Sequence, residues 1–281
     1  MEPGENNKNS FHLAGIVPIA GQPMDFNFPW NDCLMPIGRD YLAVERSILE
    51  CAYAGCETIW VVCNEDTQPL VKSRVGDYIL DPVFATSDYK QHPKEFQKQI
   101  PIFYVSIHPK DRFKRDSIAW SVLHGANSAY FVSKKVSRWV VPDKYYVSFP
   151  WGVYPPDILR EHRRTISSDD KIFLSFGGED ITHGHYMAFT FDAQDFFMLR
   201  DTFKEKYKIT GKEVQKTKLS ELFGFLDLEG HKKILCPWYH SIDNWGDYSS
   251  YIGSTDAKSL SPISSFILKR KELNKMATEE N

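Results

Sequence analysis

Side chains able to do chemistry concentrate in three short stretches of this 281-residue sequence. In "HPKDRFKRDSIAW", Lys110, Arg112, Lys114 and Arg115 stand just before a helix that Asp116 or Ser117 would cap. Positive charge and the unsatisfied N–H groups of a helix start then converge on one place, which suits an anion, although a charge run also serves as a plain solvated loop. In "GGEDITHGHYM", Glu179, Asp180, His183 and His185 fall close together. Residues two apart on a strand share a face, so the histidines can share a metal completed by Glu179 or Asp180; the ordinary alternative is a polar loop. In "GIVPIAGQPMDFNFPWNDC", Ala20, Gly21 and Gln22 form the turn that ends an apolar run. Trp30, with Trp151 and Tyr154 further on, offers rings that stack on a base or sugar, or that fill a core or lid.

These residues need a frame, and the apolar pattern supplies one. "LAGIVPIAG" is a short β-branched run bounded by glycine and reads as a buried strand. From Asp40, Leu42, Val44, Ile48, Leu49 and Ala52 recur at helical spacing until Gly55, and "TIWVVC" follows at once. Strand, helix and strand in this length imply a parallel pair with a right-handed crossover, both sheet faces covered. The pattern continues with "IPIFYVSI" as a strand, a helix from Ser117 to Phe131, "KYYVSF" as a strand and a short helix from Pro156 to His162. "KIFLSF" and "YMAFTF" suggest β elements, antiparallel at one sheet edge, before a helix from Ala193 to Tyr207 and a last strand–turn–helix unit in "ILCPWYHSIDNWGDYSSYIG". The alternation predicts a single three-layer α/β architecture around one mostly parallel sheet. Both "AGQP" and "SFPWGVY" then sit at strand ends, where open α/β sheets place ligands.

The expected organisation is a disordered polar tail over 1–11, one domain over 12–255 and a C-terminal extension over 256–281. In the extension, Ser261 and Pro262 signal a helix start, and Ile263, Phe266, Ile267 and Leu273 share a face. It reads as a docked terminal helix or, alternatively, a partner-binding one.

With 42% hydrophobic and 14% aromatic residues the chain can bury a substantial core. A formal net charge of -3, from 34 basic and 37 acidic side chains, gives no global reason to expect nucleic acid or an anionic membrane as partner. No apolar run reaches the roughly 20 residues that span a bilayer, and "MEPGENNKNS" lacks a signal-peptide core, so a cytoplasmic location is the default expectation. The five cysteines, Cys33, Cys51, Cys56, Cys63 and Cys236, lie within apolar patterns without zinc-ribbon pairing and read as reduced and buried.

The order "IVPIAGQ", a Pro-containing loop, "LMPIG", a helix ending in "AG", and "ETIWVV" resembles the N-terminal half of the nucleotidyltransferase family that makes nucleotide sugars, within the GT-A-like fold. "HGHYMAFTFDAQDF" is similar to that family's Gly-Ile-Tyr strand and helix, and "YHSIDNWGDYSSY" to its closing "IDT-PEDY" element, so the resemblance spans most of residues 13–253. It implies a sheet of the nucleotide-diphospho-sugar transferase type, a nucleotide or nucleotide-sugar as ligand, and Mg²⁺ as cofactor. It also implies a phosphate-binding role for Ala20, Gly21 and Gln22, with Arg112, Arg115 and Ser117 over the nucleotide. Asp243 and Asp247 are implied as catalytic carboxylates, with Asp243 as metal ligand.

The departures fall on the chemistry. The loop "AGQPMDFNFPWNDC" holds one glycine and neither Arg nor Lys, where the family carries a Gly-rich turn, an Arg and a Pro-Lys pair; Asn31 and Asp32 stand in the place of that pair. The family's metal-binding "GD" after the central strand is replaced by "SFPWGVYPPD", whose first acid, Asp157, reads as an early helical residue. Two functions follow as expectations: a divergent nucleotidyltransferase acting on a sugar phosphate or similar acceptor, or a non-catalytic binding or structural module on the same fold. Nucleic-acid binding through Lys110 to Arg115 ranks last.

Overall fold

The structure, a computed structural model, describes residues 11–21, 28–85, 98–112, 117–136, 141–168, 170–210 and 218–260. Most of the expected polar tail and the helix expected after Ser261 lie outside the described residues.

The first apolar run forms β1 (Leu13–Pro18). A small antiparallel pair, β2 (Pro36–Gly38) and β3 (Tyr41–Leu42), precedes α1 (Ala43–Ala54), which Gly55 closes, and β4 (Thr58–Cys63) follows. β4 lies parallel to β1 with Ile16 opposite Trp60, as the strand–helix–strand pattern predicts. Next come α2 (Gln68–Val75), β5 (Tyr78–Leu80), α3 (Pro82–Ala85), β6 (Gln99–Ser106), α4 (Pro109–Arg112) and α5 (Ile118–Val136). The chain continues through β7 (Lys144–Val147), β8 (Gly152–Val153), α6 (Ile158–Ile166), β9 (Ile172–Ser175) and β10 (Phe189–Asp192). It ends with α7 (Ala193–Thr210), α8 (Leu219–Phe223), β11 (Lys232–Leu235), β12 (His240–Ser241), α9 (Trp245–Gly253) and α10 (Thr255–Ser259).

Eight strands form one sheet in the order β11-β9-β10-β7-β1-β4-β6-β5. The centre, β7-β1-β4-β6, is parallel. The antiparallel pairing expected for "KIFLSF" and "YMAFTF" is present, but β10 is interior: it runs antiparallel to both β9 and β7, and the edge strand is β11. The link from β9 to β10 contains only a 3-10 turn at Ile181–His183, too little for a crossover, so the chain must return antiparallel. β11 arrives after two helices and lies parallel to β9. At the other edge β5 pairs antiparallel with β6. The helix expected over Pro156 to His162 runs instead over Ile158–Ile166, because Leu159 and Ile166, one heptad apart, both reach the core.

β1 feeds both faces of the sheet. Leu13 and Val17 join Ile48, Leu49 and Ile166 on the α1 and α6 side, while Ala14 and Ile16 join Val122, Leu123 and Leu199 on the α5 and α7 side. This two-sided burial is why the strand reads as an unbroken apolar run. Arg163 on α6 ties one layer together, donating to the Ala52 carbonyl at 2.8 Å and pairing bidentately with the buried Asp81 carboxylate. All five cysteines are free and buried, and burial pushes the Cys63 and Cys236 thiols up to about 12. No helix among the described residues is long and apolar enough to cross a membrane.

Candidate ligand site at the strand ends

At the carboxyl end of β1 the chain turns sharply against α5. The N–H groups of Ile19 and Ala20 both donate to the Val62 carbonyl, each at 2.8 Å, and the Ala20 carbonyl accepts a hydrogen bond from the buried Ser121 hydroxyl. Gly21 follows with φ +146°, and a Cβ there would lie 3.0 Å from the Ile118 backbone nitrogen. Ser117 caps the helix, its Oγ accepting the Trp120 N–H at 3.2 Å. The N–H groups of Ile118 and Ala119 precede the first intrahelical bond, so the turn at Gly21 sits on the positive end of α5. Ala20, Gly21 and Ser117 are therefore brought together; the Ala20 N–H itself is already spent on β4. Gln22 and Arg115 lie outside the described residues, and Arg112 is placed only as the last residue of α4.

This contact makes Gly21→Val a sharp probe. A β-branched side chain at that φ, with backbone in its way, should destabilise the protein by about 1–3 kcal/mol, measured by urea unfolding. A change within a few tenths of a kcal/mol would mean that the turn and α5 are not locked together.

Beside β1, the end of β7 carries no acid. Ser148 donates its N–H to the Ile16 carbonyl at 3.0 Å, the Phe149 carbonyl accepts from Arg46 Nη2 at 2.6 Å, and Trp151 is buried at 4% exposure. Tyr154 is fully buried. Of the three rings read as either ligand platforms or core, Trp151 and Tyr154 are core, and Trp30 is at the surface, 45% exposed. Asp157 stands immediately before α6 and makes no side-chain cap bond.

The closing segment does return to this place. β12 pairs with β8, Ser241 opposite Gly152, and the Ile242 N–H donates to the Trp151 carbonyl at 2.9 Å. Asp243 and Asp247 follow directly, held by a shared turn in which Asp247 accepts the Asp243 N–H at 3.1 Å and the Asn244 side-chain amide at 2.7 Å. The Asp243 carboxylate accepts the Ser241 hydroxyl at 2.8 Å and interacts with the Tyr186 phenol; burial, reinforced by that carboxylate, pushes the phenol up. Tyr186 and Tyr239, which also line this corner, carried no signal in the sequence beyond their apolar context. The Tyr186 N–H donates to the Tyr239 hydroxyl at 3.0 Å.

The donor set does not fit the magnesium site that the family resemblance implies. One carboxylate of the pair is missing, its place is taken by the buried Ser148–Trp151 stretch, and Asp243 is already engaged with two hydroxyls. The histidine pair is also redirected: His183 Nδ1 meets Asp180 at 3.2 Å, whereas His185 Nε2 meets Glu179 at 2.5 Å. The chain there is a 3-10 turn, so the two-residue spacing of a strand does not apply. Among the described residues no group of three His, Cys, Asp or Glu is placed to hold a metal.

No protein-family model and no curated protein matches this chain. Solved structures do. A protein assigned as a glucose-1-phosphate thymidylyltransferase from Bacillus anthracis, solved with sucrose, is similar over 90% of this chain and 98% of its own, with TM-score 0.59 and 12% identity. A nucleoside-diphosphate-sugar pyrophosphorylase from Vibrio cholerae is similar over 85% of this chain and 100% of its own, with TM-score 0.51 and 12% identity. The class is therefore set: this is an α/β protein with the fold of the nucleotide-diphospho-sugar transferases. Within that class its architecture is that of a divergent nucleotidyltransferase-like member. At this identity the likeness speaks to fold, and function rests on the site.

Proposed function

We propose that this chain binds a nucleotide or nucleotide-sugar at the carboxyl ends of β1 and β7, with the phosphates on the first turn of α5 and the Gly21 turn. The observation that carries this reading is the seating of Gly21 against the Ile118 nitrogen, which brings the strand end directly onto the helix N-terminus. Arg112 and Arg115, which precede Ser117 in sequence by five and two residues, are the candidates for the charge that the glycine turn lacks. Binding, rather than metal-assisted transfer, is the retained function, because the carboxylate pair for Mg²⁺ is incomplete.

A second reading, nucleotidyl transfer to a sugar phosphate, is favoured by one observation: Asp243 and Asp247 are returned to the end of β7 by the β8–β12 pairing. The two are separated by calorimetric titration with nucleoside triphosphates and nucleotide sugars, alongside a pyrophosphate-release assay with sugar phosphates and Mg²⁺. Binding heat without pyrophosphate release is the expected outcome. Release that disappears in Asp243→Asn, with thermal stability kept, would establish the transferase instead. No heat with any compound would end both readings. Arg115→Ala should weaken the binding by about 1–3 kcal/mol, the scale of a charged hydrogen bond; unchanged affinity would move the phosphates elsewhere.

A further inference from the structure

Phe28, Trp30, Trp245 and Tyr248 form a connected aromatic group, two rings of which are at the surface. Phe28 stacks on Trp30, with centroids 5.0 Å apart and planes 18° apart, and meets Trp245 edge-on at 5.5 Å and 82°. The Trp30 and Trp245 planes therefore meet steeply and form a corner. Tyr248 braces it, 5.4 Å from Phe28 and 5.6 Å from Trp245, and is itself fixed by a 2.7 Å bond from its hydroxyl to the Pro36 carbonyl. Trp30 is 45% exposed and Trp245 55% exposed, so two large rings face water side by side with Phe28 and Tyr248. An exposed, braced aromatic corner of this kind marks a binding surface more often than a packing remnant.

Its electrostatics select the ligand. Trp245 opens α9, and the turn before it carries Asp243 and Asn244, with Asp247 in the first helical turn. The partners of the two carboxylates are hydroxyls, the Asn244 amide and a backbone N–H; among the described residues neither has a Lys or Arg partner. A phosphate brought to this corner meets two carboxylates that already occupy the positive end of α9. A neutral ring gains stacking only. A cation gains the ring faces and two carboxylates that stand two residues to either side of Trp245 in the chain.

We propose that the Phe28–Trp30–Trp245–Tyr248 corner, beside Asp243 and Asp247, binds an organic ammonium group, either a protonated amine or a quaternary ammonium. The inference concerns the Asp243 end of the strand-end site and does not rest on the phosphate position proposed at the start of α5.

The test uses the full-length protein and two probes of similar shape, tetramethylammonium and the neutral neopentyl alcohol. The indole N–H resonances of Trp30 and Trp245, assigned through Trp→Phe variants, should shift saturably with tetramethylammonium and stay still with the alcohol. Trp245→Ala should weaken the response at Trp30 about tenfold, the scale of one partly desolvated cation–π contact, and Asp243→Asn should weaken it in the same direction. Matching unfolding midpoints show that both variants are folded; were one not, Trp30→Ala read at Trp245 and the two-probe comparison on the unaltered protein still decide the matter. Equal response to both probes, or response to neither, overturns the proposal. So does a neutral oligosaccharide that shifts these resonances when tetramethylammonium does not, or a self-association that Trp245→Ala abolishes. None of these outcomes bears on the nucleotide titration, so the two readings fail separately.

Discussion

Glu50→Gln should lower the free energy of unfolding by about 3–5 kcal/mol, the cost of leaving one member of a buried ion pair without its partner. Arg46 and Glu50 lie one turn apart on α1 with both side chains fully buried, Arg46 Nη1 to Glu50 Oε2 at 2.6 Å. The other Glu50 oxygen accepts the Tyr146 hydroxyl at 2.7 Å from β7 and the Tyr154 hydroxyl at 2.6 Å from beyond β8. Arg46 in turn donates to the Phe149 carbonyl and lies 4.6 Å from the Tyr154 ring centroid. Burial works against the Arg46 charge and the Glu50 carboxylate for it, with a net rise above its ordinary value. Burial and the same carboxylate push the Tyr146 and Tyr154 phenols up, which keeps them neutral donors. The cluster thus pins α1 to both sides of the loop that closes the candidate site. Urea unfolding checks the loss, and a double variant, Arg46→Met with Glu50→Leu, should recover much of it, because removing both charges abolishes the desolvation debt. A loss below about 1 kcal/mol for Glu50→Gln would show that water or a neighbour compensates the cation.

Gly152→Ala should cost about 3 kcal/mol or more, the upper range for forcing a methyl into a packed interior. A Cβ at that position falls 1.8 Å from the Tyr186 carbonyl oxygen and 2.8 Å from its carbonyl carbon. Both obstacles are backbone, so no rotamer change relieves them; β8 must move away from Tyr186. β8 also carries β12, and so the displacement reaches Ser241 and Asp243. Denaturant unfolding measures the loss, and near-wild-type stability would mean that the β8–Tyr186 contact is far looser than the structure has it.

How much of this was legible depended on whether the signal was local. β1, α1, β4 and α5 follow from apolar runs and periodicity, because each is buried by its own pattern. β5 and α2 were not foreseen: β5 is three residues long and α2 is polar, and both are fixed by pairing with or packing on β6. What no local pattern shows is how deeply α1 is buried. Glu50 falls four residues after Arg46, a spacing common for exposed helical pairs, yet all twelve residues of the helix are buried. What pulls the charges inward are Tyr146 and Tyr154, about a hundred residues away in sequence and invisible to any local window. For Trp151 and Tyr154 the sequence left platform and core equally open, since a ring at a strand end serves as either until its partners are known, and the structure places both in the core. At the site, the glycine turn was legible from its type and place, and so was the missing acid after "YYV". That the turn rests on the start of α5, and that Tyr186 and Tyr239 hold the Asp243 corner, required the tertiary structure.

The central claim, that phosphates are held where Gly21 meets α5, is tested most directly by following backbone amide resonances of the full-length protein during titration with nucleoside triphosphates and nucleotide sugars. The amides of Gly21, Ile118 and Ala119 should respond first and saturate together with at least one of these compounds. Saturable shifts confined to other surfaces, or none with any compound, would contradict the account.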